Sequence, residues 1–161
     1  NVAGILLLEH FEKIPVEKFR RILDVNLIGT FLLCQAAIPH LRESGGNIVN
    51  TSSTSALAGM PYGAAYGSSK GGVSALTRTL AVEFARQGIR CNAVVPGSIL
   101  TAMGSGDNLP EDTDMQLVMR ATALDKPRKA EVVAGLIAML ASEDGAHING
   151  EEIRVDGGTL S

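Results

Sequence analysis

The 161-residue chain has two cysteines, Cys34 and Cys91, far apart and with no Cys-x-x-Cys between them. Their apolar neighbours predict buried, reduced thiols, with no disulfide and no metal site. A basic footprint is lacking too: 14 Lys and Arg against 17 Asp and Glu leave a net charge of −3, with no charge run, which argues against a nucleic-acid partner. No stretch reaches the roughly 18 uncharged apolar residues of a membrane span. The first residues lack the basic, then apolar, then small-residue order of a secretory leader. His10, His40 and His147 are scattered without ligand spacing, and no internal repeat or low-complexity linker occurs. These absences predict a cytoplasmic protein with neither a nucleic-acid nor a membrane partner. What remains, 45% hydrophobic and 19% charged residues over a single-domain length, is ordinary for a domain built around a buried sheet.

Chemistry concentrates in Ala65-Tyr66-Gly67-Ser68-Ser69-Lys70. Residues four apart share a helix face, so this spacing sets an ammonium beside a phenol. A nearby cation favours the phenolate, which makes a phenol usable as an acid and base near neutral pH. Alone, Tyr-x-x-x-Lys is cheap; average usage produces it in roughly one chain of this length in three. Its weight comes from its surroundings. Ser53 stands thirteen residues before Tyr66, and Pro96-Gly97 follows a strand-like run thirty residues after it.

The periodicity predicts the elements that carry these residues. From Pro15 to about Leu41, Phe19, Ile22, Leu23, Leu27 and Phe31 recur at helical spacing, with Asn26 on their apolar side. A polar side chain in such a stripe needs partners, and on its own Asn26 reads as a satisfied core asparagine. Asn47 to Thr51 reads as a buried strand, with Ser53 leaving its end, where a serine is commonly a cap. About Ala64 to Arg86 reads as one helix. Gly71 and Gly72 inside it cost stability relative to alanine, which predicts close approach of another backbone. Arg90 to Val95 and Glu152 to Val155 read as strands. Between them come an irregular stretch, Ser98 to Leu109, and helices at about Glu111 to Thr122 and Lys129 to Ala141.

Six blocks in order resemble the short-chain dehydrogenase/reductase family: Asn1-Val2-Ala3-Gly4, with Val2 departing from the usual asparagine; Asp24-Val25-Asn26-Leu27; Gly46 to Ser53; Tyr66-Gly67-Ser68-Ser69-Lys70, with Ser68 for the usual alanine; Arg90 to Gly97; and Ile153 to Gly158. The resemblance implies a Rossmann-like doubly wound parallel α/β sheet, of which this chain holds the C-terminal two-thirds. It divides into a catalytic half (1–97), a specificity loop with its helices (about 98–142) and a last strand (about 150–158). The family's opening Gly-rich turn, where backbone N–H groups at a helix N-terminus receive a pyrophosphate, has no counterpart here.

By that resemblance the chain is an oxidoreductase moving a hydride between NAD or NADP and a small-molecule secondary alcohol or ketone. Tyr66 is the implied acid/base. Lys70 holds the phenolate and bonds the nicotinamide ribose, Ser53 fixes the substrate oxygen, and Asn26 holds a helix kink and a water that relays protons. Pro96, Gly97, Ile99 and Thr101 are implied contacts to the carboxamide and phosphate side of the cofactor, and Asn1, Ala3 and Gly4 to its adenosine half. Leu100, Met103, Leu109, Met115, Leu117 and Met119 give the expected specificity loop an apolar cast. The resemblance further implies a homo-oligomer, a dimer or tetramer. Two other readings compete: a sugar-nucleotide epimerase relative, which usually carries a larger C-terminal domain, and a truncated, non-catalytic nucleotide-binding or assembly protein on the same fold.

Overall fold

A computed structural model describes residues 1–104, 109–124 and 126–161. Ser105 to Asn108 and Asp125, which fall within the expected specificity loop, lie outside the described residues.

Three parallel strands form the sheet: β1 (Gly46–Thr51), β2 (Ile89–Pro96) and β5 (Glu152–Val155), in the order β1-β2-β5. The register pairs Gly46 with Ile89 through Thr51 with Val94, and Ala93 with Glu152 through Pro96 with Val155. Asn1 adds one rung on the far side of β1: its backbone nitrogen donates to the Val49 carbonyl at 2.7 Å, and its carbonyl accepts from Thr51 N–H at 3.0 Å. A short parallel clasp joins β3 (Ile99–Leu100) to β4 (Arg128–Lys129).

Because side chains alternate along a strand, each strand serves two cores. On one face Ile48, Ile89 and Cys91 pack with Cys34 and Ile38 of α2 (Gly29–Ser44) and with Ala81 and Phe84 of α3 (Ala64–Phe84). On the other, Val49 and Val94 meet Val133 and Leu140 of α5 (Glu131–Ala141), with Ile148, Ile153 and Val155 around them. Helices cover both faces of a parallel sheet, as the doubly wound reading requires. Both cysteines are free thiols on either side of Asn50, whose Oδ1 accepts from Cys34 Sγ and whose Nδ2 donates to Cys91 Sγ. Burial is the main cause that raises both thiols, Cys91 to about 12, so neither is a nucleophile at neutral pH.

Several expectations are corrected. The helix from Pro15 is not uniform: α1 (Val16–Leu23) passes through a π-helical turn at Asp24–Ile28 before α2. By length and composition the helical run Val16–Ser44 contains a window apolar enough to cross a membrane, although its longest uncharged run, from Val25 to Leu41, still falls short of the count used above. Asn26, Thr30 and Gln35 interrupt the apolar run without charging it. In the fold its Cys34 and Ile38 lie on the sheet, while Phe31, Leu32 and Leu33 stay exposed. The backbone approach expected at Gly71 and Gly72 gives way to open space at the first and a side chain at the second. A methyl group at Gly71 would meet nothing within 4 Å, and at Gly72 it would meet the Leu27 side chain at 2.6 Å. The predicted helix at Glu111 to Thr122 shrinks to α4 (Met115–Met119), begun by Asp114, whose carboxylate accepts from Gln116 and Leu117 N–H groups.

Candidate active site

The C-terminal ends of β1 and β2 open into a cavity of about 730 Å³, the place where open parallel sheets hold ligands. Ser53, Tyr66, Lys70, Gly4, Pro96, Gly97, Ile99 and Thr101 all line it; Asn1, Ala3 and Asn26 do not. Asn1 turns its amide inward to Asn50 Oδ1 (2.8 Å) and Cys34 Sγ (3.4 Å), and Val2 faces the cavity instead.

Ser53 follows β1 with extended backbone and caps a single 3₁₀ turn, Thr54–Ala56, accepting from Ser55 N–H at 3.2 Å. Its side chain also lies close enough to Tyr66 to favour the ionised phenol. Lys70 is buried one helical turn beyond Tyr66; its Nζ donates to the Thr51 carbonyl at 2.8 Å and lies 5.7 Å from the Tyr66 ring centre. Burial shifts both groups. It pushes the Tyr66 phenol above its ordinary value and pulls Lys70 down to about 8. Burial thus acts against the expected phenolate in this structure, with Ser53 as the opposing influence.

Asn26 sits in the π-helical turn, fully buried. Its Oδ1 accepts from Ile5 N–H at 2.8 Å, and its Nδ2 donates to the Ile5 carbonyl (2.9 Å) and Ser69 Oγ (3.0 Å). Ser69 in turn donates to the Tyr66 carbonyl at 2.7 Å. The amide is thus spent on a clamp joining the Gly4–Ile5 wall to the tyrosine's own helical turn. Gly4 completes that wall. A methyl group there would lie 3.3 Å from Asn26 Oδ1 and 3.6 Å from Lys70 Nζ.

The sequence reading passed over Tyr62 and Arg120. Tyr62 holds an uncommon φ of +62° two residues before α3, and its hydroxyl accepts from Asp114 N–H at 2.9 Å while His10 packs edge-on against its ring. The Pro61-Tyr62-Gly63 turn was the available signal. Arg120 ends α4 and lines the cavity; nothing in its local sequence marks it.

Gly97 is fixed by close approach. A methyl group would lie 2.8 Å from Asp156 Cα and 3.1 Å from its carbonyl oxygen, and backbone cannot yield as a side chain can. Gly97→Ala should destabilise the fold by about 1–3 kcal/mol, the usual cost of overpacking. Gly71→Ala, in open space on the same protein, should gain about 0.5–1 kcal/mol. Thermal unfolding of both variants checks the pair, and equal melting temperatures would refute the contact.

A family model described as enoyl-(acyl carrier protein) reductase matches residues 1–159. The structure superimposes on a short-chain type dehydrogenase/reductase from Mycobacterium marinum with a TM-score of 0.87 at 32% identity, covering 99% of this chain and 63% of that one. This chain belongs to the short-chain dehydrogenase/reductase family. It is also 41% identical to the 2-(R)-hydroxypropyl-CoM dehydrogenase of Xanthobacter autotrophicus over 89% of its length and 57% of the relative's. It matches a 3-ketoacyl-(acyl-carrier-protein) reductase from Brucella melitensis, solved with NADH, at a TM-score of 0.87 and 30% identity, over 98% of this chain and 64% of that one. The chain therefore spans about three-fifths of the length of the family members it matches.

The residues present fit the nicotinamide half of such a cofactor. Gly4 and Gly97 put bare backbone on the wall around Lys70, and two bordering hydroxyls, Thr51 Oγ1 and Ser55 Oγ, are buried without a hydrogen-bond partner.

Proposed function

We propose that this family member contributes the catalytic half of an NAD- or NADP-dependent oxidoreductase acting on a secondary alcohol or ketone. The observation that supports it is the convergence of Ser53, Tyr66 and Lys70 on one cavity walled by the Gly4 and Gly97 backbone. The names of the matched family members agree in class, one for a hydroxypropyl compound and one for a 3-ketoacyl compound.

When bound, the nicotinamide supplies or takes the hydride. The chain's own residues manage the proton. In reduction the carbonyl carbon gains a hydride with its electron pair, and the carbonyl oxygen gains a proton from the Tyr66 hydroxyl. The phenol is then restored from solvent. Ser53 donates to the same oxygen and fixes its distance from Tyr66. Lys70, still largely protonated below pH 8, holds positive charge near the phenol and the ribose hydroxyls. Asn26 acts on Tyr66 through Ile5 and Ser69, keeping wall and helix in register. Ile99 and Thr101 border the carboxamide and phosphate side; Asn1 and Ala3, which do not line the cavity, are assigned no cofactor contact.

A panel of secondary alcohols and ketones, followed by nicotinamide absorbance with both cofactors on the full-length enzyme, tests the reading. An enzyme that binds neither cofactor and turns over no member of the panel would end it.

Assembly belongs to the same proposal. Phe31, Leu32 and Leu33 on α2 and Val82 on α3 leave exposed apolar surface on these two long helices. Two-fold pairing of these helices into a four-helix bundle buries it, and a second contact through β5 makes a tetramer. Light scattering of the full-length enzyme should give a dimer or tetramer, and a monodisperse monomer would overturn this.

A further inference from the structure

The charge on the cavity wall is of one sign among the described residues. Among them the cavity is lined by two cationic side chains, Lys70 and Arg120, and by no aspartate or glutamate. Lys70 is engaged, with its ammonium on the Thr51 carbonyl beside the phenol. Arg120 is placed differently. It closes α4, where its backbone N–H bonds the Leu117 and Val118 carbonyls, and among the described residues no ion pair holds its guanidinium. The carboxylate of Asp114, at the opposite end of the same short helix, accepts from the helix's first N–H groups. The lining also includes the apolar side chains of Met60, Leu100, Met103, Ile137 and Leu160, together with uncharged hydroxyl residues.

Such a lining selects. A guanidinium presents a planar fork of donors that matches a carboxylate in bidentate fashion. A cleft bearing one sign of charge on low-dielectric walls concentrates ligands of the opposite sign. A neutral substrate would leave that fork unused. Two carboxylates on one ligand would bring a second anion against apolar walls.

We propose that the substrate is a hydroxy- or oxo-monocarboxylate, with its carboxylate on Arg120, its aliphatic body along Leu100, Met103 and Met60, and its reacting oxygen at Ser53 and Tyr66. This rests on the oxidoreductase reading above and adds the substrate's charge and the residue that reads it. The redox step is unchanged: hydride is exchanged at the carbon bearing the oxygen, and the carboxylate stays intact.

The test uses the full-length enzyme and matched pairs, a hydroxycarboxylate and its methyl ester, on wild type, Arg120→Gln and Arg120→Lys. Wild type should prefer the acid by about tenfold or more in kcat/KM, as expected for a charge-assisted pair. Arg120→Gln should abolish that preference through a raised KM for the acid, and Arg120→Lys should restore part of it. Calorimetric titration of the cofactor complex with the unreactive deoxy-carboxylate should show a matching loss of affinity in Arg120→Gln. Equal use of acid and ester by wild type would overturn the proposal. So would an Arg120→Gln variant that loses cofactor affinity instead, because the arginine would then serve the cofactor's phosphates. Absence of turnover on either compound would strike the oxidoreductase reading, while the titration would still decide whether Arg120 binds a carboxylate.

Discussion

Replacing Tyr66 by phenylalanine is expected to cut turnover by about 10²- to 10⁴-fold, the usual worth of a positioned acid/base, while cofactor affinity stays nearly unchanged. The substitution removes one oxygen. The ring, its packing and the helix that presents it remain, so whatever is lost is proton transfer and the contact with Ser53. Retention of more than about a tenth of wild-type turnover would dismiss Tyr66 from the acid/base role. Lys70→Met makes the contrast, because Lys70 is assigned two tasks: turnover and cofactor affinity should both fall. Unchanged affinity there would strike out the ribose contact. The pH dependence has a definite sign. Lys70 titrates at about 8 in the folded protein, below its ordinary 10.5. Its charge is thus present below pH 8 and fades as pH rises through that value. Reductive turnover in the wild type should decline above about pH 8, and Lys70→Arg should extend the plateau to higher pH, since guanidinium keeps its proton. For stability the same shift works the other way. The unfolded chain binds more protons between about pH 8 and 10.5, so the cost of burying this charge is complete below pH 8 and is relieved as pH rises.

The second large effect concerns residues 1–161 produced by themselves. Along β1, the side away from β2 is paired at one point, the Asn1 rung flanking Asn50. Ile48 and Val49 belong to this uncharged strand, and an open edge of that kind invites other chains to add to it. Folded domains hold only about 5–15 kcal/mol in reserve, a margin that a largely unpaired sheet edge can consume. The expected result is an insoluble product, or a soluble one that binds no nicotinamide cofactor. A cooperatively melting 161-residue protein that oxidises an alcohol with NAD or NADP would prove this wrong.

Much of this was legible in the residues. β1 and β2 were readable because alternation feeds two cores at once, so Ile48 and Val49 both had to be apolar. Tyr66 and Lys70 announce themselves through helical spacing. The clamp around Asn26 was half legible: a polar residue in an apolar stripe demanded partners, but the partners Ile5 and Ser69 lie 21 and 43 residues away and no local pattern names them. The phenol's shift was misjudged for a related reason. Sequence shows the neighbouring charge and hides the burial, and burial decided the sign. Arg120 was invisible because a lone arginine ending a five-residue helix looks like any surface cation until the cavity is drawn around it.

Among the described residues, several bonds that tie the segment between Ser98 and Arg128 in place are made by its backbone. Asp114 gives its N–H to the Tyr62 hydroxyl, the Glu111 carbonyl meets His10, Leu124 N–H reaches the Gly157 carbonyl, and Arg128 N–H returns to the Ser98 carbonyl. Main-chain anchors are indifferent to the side chains strung between them. The residues that face a substrate can therefore be exchanged without loosening the frame, and a single proton-handling apparatus can be fitted with many different recognition surfaces by point substitution alone.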